Sequence, residues 1–421
     1  MKIEPTILQD IYDLFNDTIN QNAHNALRRI LTDKQDNITA IRNRQQVIKC
    51  FIDNYGLFSD YHYPVLHYRE VFLMIETDNF IQVLSQKNPT KTLKNNKRHY
   101  QTIKGKTIQL VLFFHFYYHK YIQPFDANKF PKDYSEKFEA LKAYFESYNL
   151  NYYYEKIQSK KMNVVDVFEL IQIFQNHYTN KEQFIFIDHF SEFEAFISIA
   201  KQTVLSGFQF PEIGDNRLVL EEFYHPKVKN PILNSFSNPN GVLLLTGANM
   251  AGKSTFLKVL GICIYLAHIG LPIPAKNAKI PFYNEIYIFI NNNDDLTNGY
   301  SYFMQEVLNL KEVVLKCNDK LNCFVLFDEL FKGTNLEDAL EITKTTLNGL
   351  LKFPDSFFGI SSHIHQLKDL TNSQQAIHTY YLECLIDNGT PYFTYKIKKG
   401  FSDLKLGRVI FEKEKLNELL L

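Results

Sequence analysis

Residues 242–255, VLLLTGANMAGKST, carry an apolar run into a glycine-rich turn and then into the helical sequence FLKVLGICIYL. Gly247–Ser254 (GANMAGKS) is a full match to G-x-x-x-x-G-K-[ST]. The pattern needs a strand before it and a helix after it, and both are present. Glycines let the backbone fold tightly and turn its N–H groups toward phosphate oxygens. The helix start adds its positive dipole end. Gly247, Ala248, Asn249, Met250, Ala251, Gly252, Lys253, Ser254 and Thr255 are therefore the expected cradle of a nucleotide. Lys253 would reach the β- and γ-phosphates, and the Ser254 hydroxyl would ligate Mg²⁺. ATP and Mg²⁺ are the expected cofactors.

A phosphate loop of this kind needs carboxylates. CFVLFDE (323–329) supplies them as an apolar strand ending in Asp328 and Glu329. Asp328 would hold Mg²⁺ through a water, and Glu329 would orient or deprotonate the attacking water. Three further stretches stand around this pair: GYSYFMQE (299–306), LFKGTNLEDA (330–339) and SSHIHQL (361–367). His363 and His365 have no carboxylate beside them in sequence, which makes them a poor metal pair. His115 and His119 lie four apart in an aromatic run and read as a satisfied core pair.

The rest of the chain reads as an ordinary folded protein. Hydrophobic residues make up 45% and charged residues 22% of 421, with a formal net charge of zero. No global basic excess points to nucleic acid, so such contact would need a local patch. The five cysteines form no C-x-x-C pair and read as thiols of a reducing compartment. MKIEPTILQDIYDLF has no apolar run behind a basic start, so no secretory signal is expected and the location reads as cytoplasmic. Residues 107–122 and 256–274 are apolar but carry charges, His or Pro, and are expected to be core helices with no membrane contact.

The pattern divides near 206–216, where SGFQFPEIGDN is rich in turn residues. Before it, segments 27–54 (broken near 32–37), 133–157, 161–177 and 191–205 space apolar residues as helices do. After it, 242–246, 285–290, 323–329, 356–361 and 391–397 read as strands alternating with helices, which predicts a doubly wound sheet. The expected fold class is multidomain α + α/β, with a helical domain over 1–205 and a P-loop α/β domain over 206–421. The Asn/Lys-rich stretch 87–106 reads as a loop. Its Lys91, Lys94, Lys97, Arg98, Lys104 and Lys106, interleaved with His99 and Tyr100, would either contact a nucleic-acid backbone or simply face solvent.

TGANMAGKSTFLK, HIGLPIPAKNAKI (268–280), SYFMQE, DELFKGTN, SSHIHQL and FYHPKV (223–228) occur in an order that resembles the MutS family of DNA mismatch-repair ATPases, a branch of the ABC-type ATPases. The resemblance implies a helical core/lever domain before an ABC-type ATPase domain. Segment 27–54 is similar to the start of that core, and 191–205 to the lever helix returning to the ATPase. It implies that Ser301 of one subunit faces the γ-phosphate bound by the other, in a homodimer joined through the ATPase domains. It also implies that His363 senses the γ-phosphate, and that double-stranded or branched DNA is a partner.

The sequence also departs from that family. No Phe-x-Glu occurs in the first 100 residues, and those at Phe190 and Phe210 fall in the lever helix and the boundary loop. The recognition and connector domains of mismatch-reading members are thus expected to be missing, the clamp reduced, and the dimerisation helices after Gly407 minimal. Asn335 stands where a serine is usual. Two functional readings follow. One is a DNA clamp switched by ATP in mismatch repair or recombination-related maintenance. The other is an ATP-driven dimeric switch acting on branched DNA or a protein partner. A transporter-type ATPase needs L-S-G-G-Q after the P-loop, and the LSG at Leu205–Gly207 precedes it.

Overall fold

A computed structural model describes the chain except residues 79, 215–216, 249, 291–301, 375, 388–389, 403, 405–410, 412, 414–418 and 421. Two expected site residues, Asn249 and Ser301, therefore lie outside the described residues. The chain divides into two compact units. Phe15–Thr32 and Gln45–Leu205 form one, and Met1–Leu14, Asp33–Arg44 and Ser206–Leu421 form the other.

The strands are β1 (Lys2–Ile3), β2 (Glu212–Ile213), β3 (Arg217–Phe223), β4 (Asn234–Pro239), β5 (Gly241–Thr246), β6 (Asn277–Ile280), β7 (Glu285–Phe289), β8 (Cys323–Phe327), β9 (Phe357–Ser361), β10 (Ile377–Asp387) and β11 (Thr390–Lys399). Seven form one sheet in the order β1-β7-β8-β9-β5-β10-β11, and β2-β6-β3-β4 form a second. The large sheet is parallel from β1 to β10, and β11 closes it as an antiparallel edge. All five described residues of β8 and of β9 are buried, as expected for central parallel strands covered on both faces. Helices Lys253–His268, Tyr302–Asn318 and Leu336–Leu350 connect these strands. Gly261 lets the first of them approach closely, because a Cβ there would sit 2.9 Å from Ile288 Cδ1.

The other unit is helical. Its segments include Gln21–Thr32, Lys132–Glu146, Leu150–Gln158, Val164–Thr179 and Glu182–Ser206. The expected break near 32–37 separates Gln21–Thr32 from Ile38–Asp53. The expected helix over 133–157 is two helices, because Asn149 adopts a left-handed φ of 46° between them. The expected helix over 191–205 begins earlier, at Glu182. The core is aromatic: Phe51, Phe58, Phe113, Phe114, Tyr117 and Phe190 are all buried.

Two expectations about this unit need correction. Residues 87–106 are not a loop: they form helix Pro89–Asn95 and the first half of Lys97–Tyr117. Leu93, Ile103 and Thr107 are buried while Lys91, Lys94 and Lys97 face out, and the Asn96 side chain accepts the His99 N–H at the second helix start. His115 and His119 are half-buried rather than core residues. His115 stacks on Tyr154 at 3.7 Å, and His119 bonds Gln123 and Asn151. No helix among the described residues is long and apolar enough to cross a membrane.

Candidate nucleotide site

The site grows from the carboxyl ends of three adjacent parallel strands, where open α/β sheets place their ligands. β5 delivers the glycine-rich turn, β8 delivers Asp328 and Glu329, and β9, between them in the sheet, delivers Ser361. Gly247 and Gly252 hold φ of 138° and 95°, conformations that an L side chain would strain. Met250 takes a left-handed φ of 72° and is exposed at the loop tip.

Lys253 opens the following helix and is buried. Its Nζ donates back to the carbonyls of Gly247 at 3.0 Å and Ala248 at 3.2 Å, and lies 4.0 Å from Glu329 Oε1. Burial pushes its pKa down, while Glu329 and Asp328 oppose that shift. Glu329 is held low, at about 2, chiefly by the neighbouring His363 imidazole, whose Nδ1 stands 3.7 Å away. Burial works against this, and Lys332, at 2.9 Å, and Lys253 add to it. So the histidine that lacked a carboxylate neighbour in sequence acquires one in space. His365 is exposed, and no group of three or more His, Cys, Asp or Glu side chains that could hold a metal ion occurs among the described residues. Glu329 itself holds a left-handed φ of 53°.

Asp328 is fixed at both ends. Its N–H donates to Phe289 O at 3.1 Å, and its Oδ1 accepts the Ser361 hydroxyl at 2.6 Å. Gly333 follows in the same turn. A Cβ there would meet the Phe303 backbone N at 3.2 Å, so the close approach of helix Tyr302–Asn318 favours glycine. Asn335 caps the next helix by accepting the Asp338 N–H at 2.9 Å. It does the work a serine would do there.

Sequence reasoning missed two features. The first is Glu4, which follows β1 beside Ile290. Burial raises it to about 7, with Lys258 opposing and Asp328 reinforcing, and its Oε1 is buried without a hydrogen-bond partner. Only the pairing of a two-residue strand with β7 brings it there, and so short a strand leaves no periodic signal. The second is a cavity of about 540 Å³ beside the loop, lined among others by His225, Ile232, Ala251, Thr255, Tyr392 and Tyr395. Its walls come from four distant stretches, which no local pattern joins.

The hydroxyl of Ser254 and the carboxylate of Asp328 are hard oxygen donors suited to a magnesium ion, and the buried ammonium of Lys253 suits polyphosphate. The unit is a largely parallel sheet with a glycine-rich strand-to-helix turn after β5 and a carboxylate-ending strand, β8, two places along. Residues 243–418 match the family model for MutS domain V, so this part of the chain is similar to that domain. It is 28% identical over 226 residues to the DNA mismatch repair protein MutS of Geobacillus sp. (strain WCH70), covering 52% of this chain and 26% of that one. Against MutS of Persephonella marina it is 31% identical over 221 residues, 51% of this chain and 25% of the relative. Against that of Acholeplasma laidlawii it is 25% identical over 247 residues, 58% and 29%. The aligned part thus spans about a quarter of the length of these curated relatives.

Proposed function

We propose that this chain is a Mg²⁺-dependent ATPase related to MutS, which uses ATP turnover to switch a dimer on DNA. The observation that carries the reading is the convergence of Lys253, Asp328, Glu329 and His363 at the mouth of the glycine-rich loop. Backbone N–H groups of 247–252 and Lys253 bind the phosphates. Ser254 and Asp328 would hold Mg²⁺, which would neutralise charge on the transferring phosphoryl group. The adjacent cavity takes the base, which would lie among Ile232, Tyr392 and Tyr395.

Glu329 is fully ionised and paired in this arrangement. A base held so far below neutrality takes a proton poorly. Its role here is to orient the attacking water through a hydrogen bond, with proton uptake following once phosphate draws Lys253 and His363 away. Ser301 from a partner subunit would complete the site across the dimer.

DNA contact would come from the helical unit. Lys91, Lys94, Lys97 and Arg98 are exposed and have no carboxylate partner among the described residues. Lys104 and Lys106 are already engaged, by Met162 O at 2.8 Å and by Asp78 respectively, so four of the six expected cations remain available. Such contact is salt-sensitive and sequence-blind.

The test is phosphate release measured with no DNA, homoduplex, single-mismatch duplex and four-way junction at two salt concentrations. A DNA-dependent rate that weakens with salt supports the reading, and the ranking names the substrate. A robust ATPase indifferent to every DNA would favour a switch acting on a protein partner instead.

A further inference from the structure

Ser361 occupies the position in the sheet that joins the two halves of the site. In register it pairs with Leu245, two residues before Gly247, on one side. On the other side Ile360 pairs with Phe327, which places Ser361 level with Asp328. The residue is fully buried, and both hydrogen-bonding functions of its hydroxyl point at the carboxylate strand. The O–H donates to Asp328 Oδ1 at 2.6 Å, and the oxygen accepts the Glu329 backbone N–H at 2.8 Å. The next residue, Ser362, is tied to the P-loop strand through Leu245 O at 3.0 Å, and His363 follows it.

A hydroxyl has one proton, so these two bonds fix its direction. Donation to Oδ1 leaves Asp328 one oxygen to turn toward a metal-bound water. Acceptance from the Glu329 N–H holds that residue in the left-handed conformation, φ 53°, that aims its side chain at Lys253 and His363. Such a backbone state persists only where its surroundings over-determine it.

We propose that Ser361 is a positioning residue that selects the Asp328 oxygen presented to magnesium and sets the backbone of Glu329. The proposal rests on the nucleotide reading of the site given above. It concerns metal engagement first, and therefore has a signature other than turnover. Removing the hydroxyl should leave metal-free nucleotide binding intact and weaken only the magnesium-dependent part.

The experiment follows a fluorescent ATP analogue at equilibrium while Mg²⁺ is titrated into parent protein, Ser361→Ala, Asp328→Ala and the double variant. The Mg²⁺ concentration giving half the magnesium-dependent signal should rise about tenfold in Ser361→Ala, the loss expected for one hydrogen bond to a charged group. In the Asp328→Ala background the same substitution should change nothing further. Ser361→Cys, which keeps the side chain but weakens its hydrogen bonds, should fall between parent and Ser361→Ala. An unchanged half-point in Ser361→Ala would overturn the proposal. So would an equal loss of metal-free binding, or an additive effect in the double variant. If the parent itself shows no magnesium-dependent binding, the nucleotide reading fails before Ser361 is tested.

Discussion

Two carboxylates, one in each unit, show how differently a fold can treat a buried negative charge. Glu194 in the helical unit is 1% exposed. It accepts from Ile19 N at 2.6 Å, Asn20 Nδ2 at 2.9 Å, Tyr63 OH at 2.7 Å and Tyr61 OH at 3.2 Å. Three of these donors converge on Oε2 and one on Oε1, and burial pushes the carboxyl's pKa up, so this group is locked inside the core and closed to a ligand. Glu329 in the sheet unit is half-buried and sits on a left-handed backbone. It is surrounded by cations, of which only Lys332 comes within 3 Å. The closed arrangement fixes a structure. The open, strained one holds groups ready for something else to arrive, which is the pattern expected of a functional site.

The contrast can be broken most forcefully at the closed end. Glu194→Ala leaves those donors facing a void, and we expect a loss of about 3 kcal/mol in urea unfolding. A loss below about 1 kcal/mol would mean that the network is not structural. At the open end, Lys253→Met should weaken binding of an ATP analogue by about a hundredfold while leaving the melting temperature close to the parent's. A large drop in melting temperature with binding intact would reverse the assignment of roles.

Glu4 sharpens the comparison, because it lies within electrostatic reach of Asp328 and, though half-buried, keeps one carboxyl oxygen buried without a hydrogen-bond partner. Its folded pKa, about 7, lies above the ordinary value of 4.5. The folded state therefore binds more protons between those two values, and this group's contribution to stability falls as pH rises through them. Glu4→Gln should remove that slope. The variant should be more stable than the parent by about 1 kcal/mol near pH 8, after discounting for partial exposure, and equal to it near pH 4. Parallel stability curves for the two proteins would contradict it. The smallest effect is expected on the exposed basic helix. Replacing Lys97 and Arg98 together by Ala should lower the slope of log affinity for duplex DNA against log salt by about 2. Lys106→Ala, removing a cation already paired with Asp78, should leave that slope alone.

How much of this could be read from sequence depended on how local the signal was. The loop at 247–254 and the strand ending in Asp328 were legible because each motif is contiguous and its flanks show the required periodicity. The long helices were legible for the same reason. The helices within 87–106 were not, because only Leu93 and Ile103 mark their buried face and the charges dominate the composition. Lys104 and Lys106 looked like their neighbours until the fold brought Met162 and Asp78 to them. The approach of His363 to Glu329, the bridging hydroxyl of Ser361 and the orphaned oxygen of Glu4 depend on which strands lie side by side. That order, β1-β7-β8-β9-β5, is not written in any single stretch of the chain.

The most direct test of the central claim is steady-state phosphate release from ATP and Mg²⁺ by the parent and by Glu329→Gln, each with its equilibrium ATP affinity. The account predicts turnover by the parent, a loss of about a hundredfold in the variant, and undiminished ATP binding. Hydrolysis by Glu329→Gln at the parental rate would contradict it.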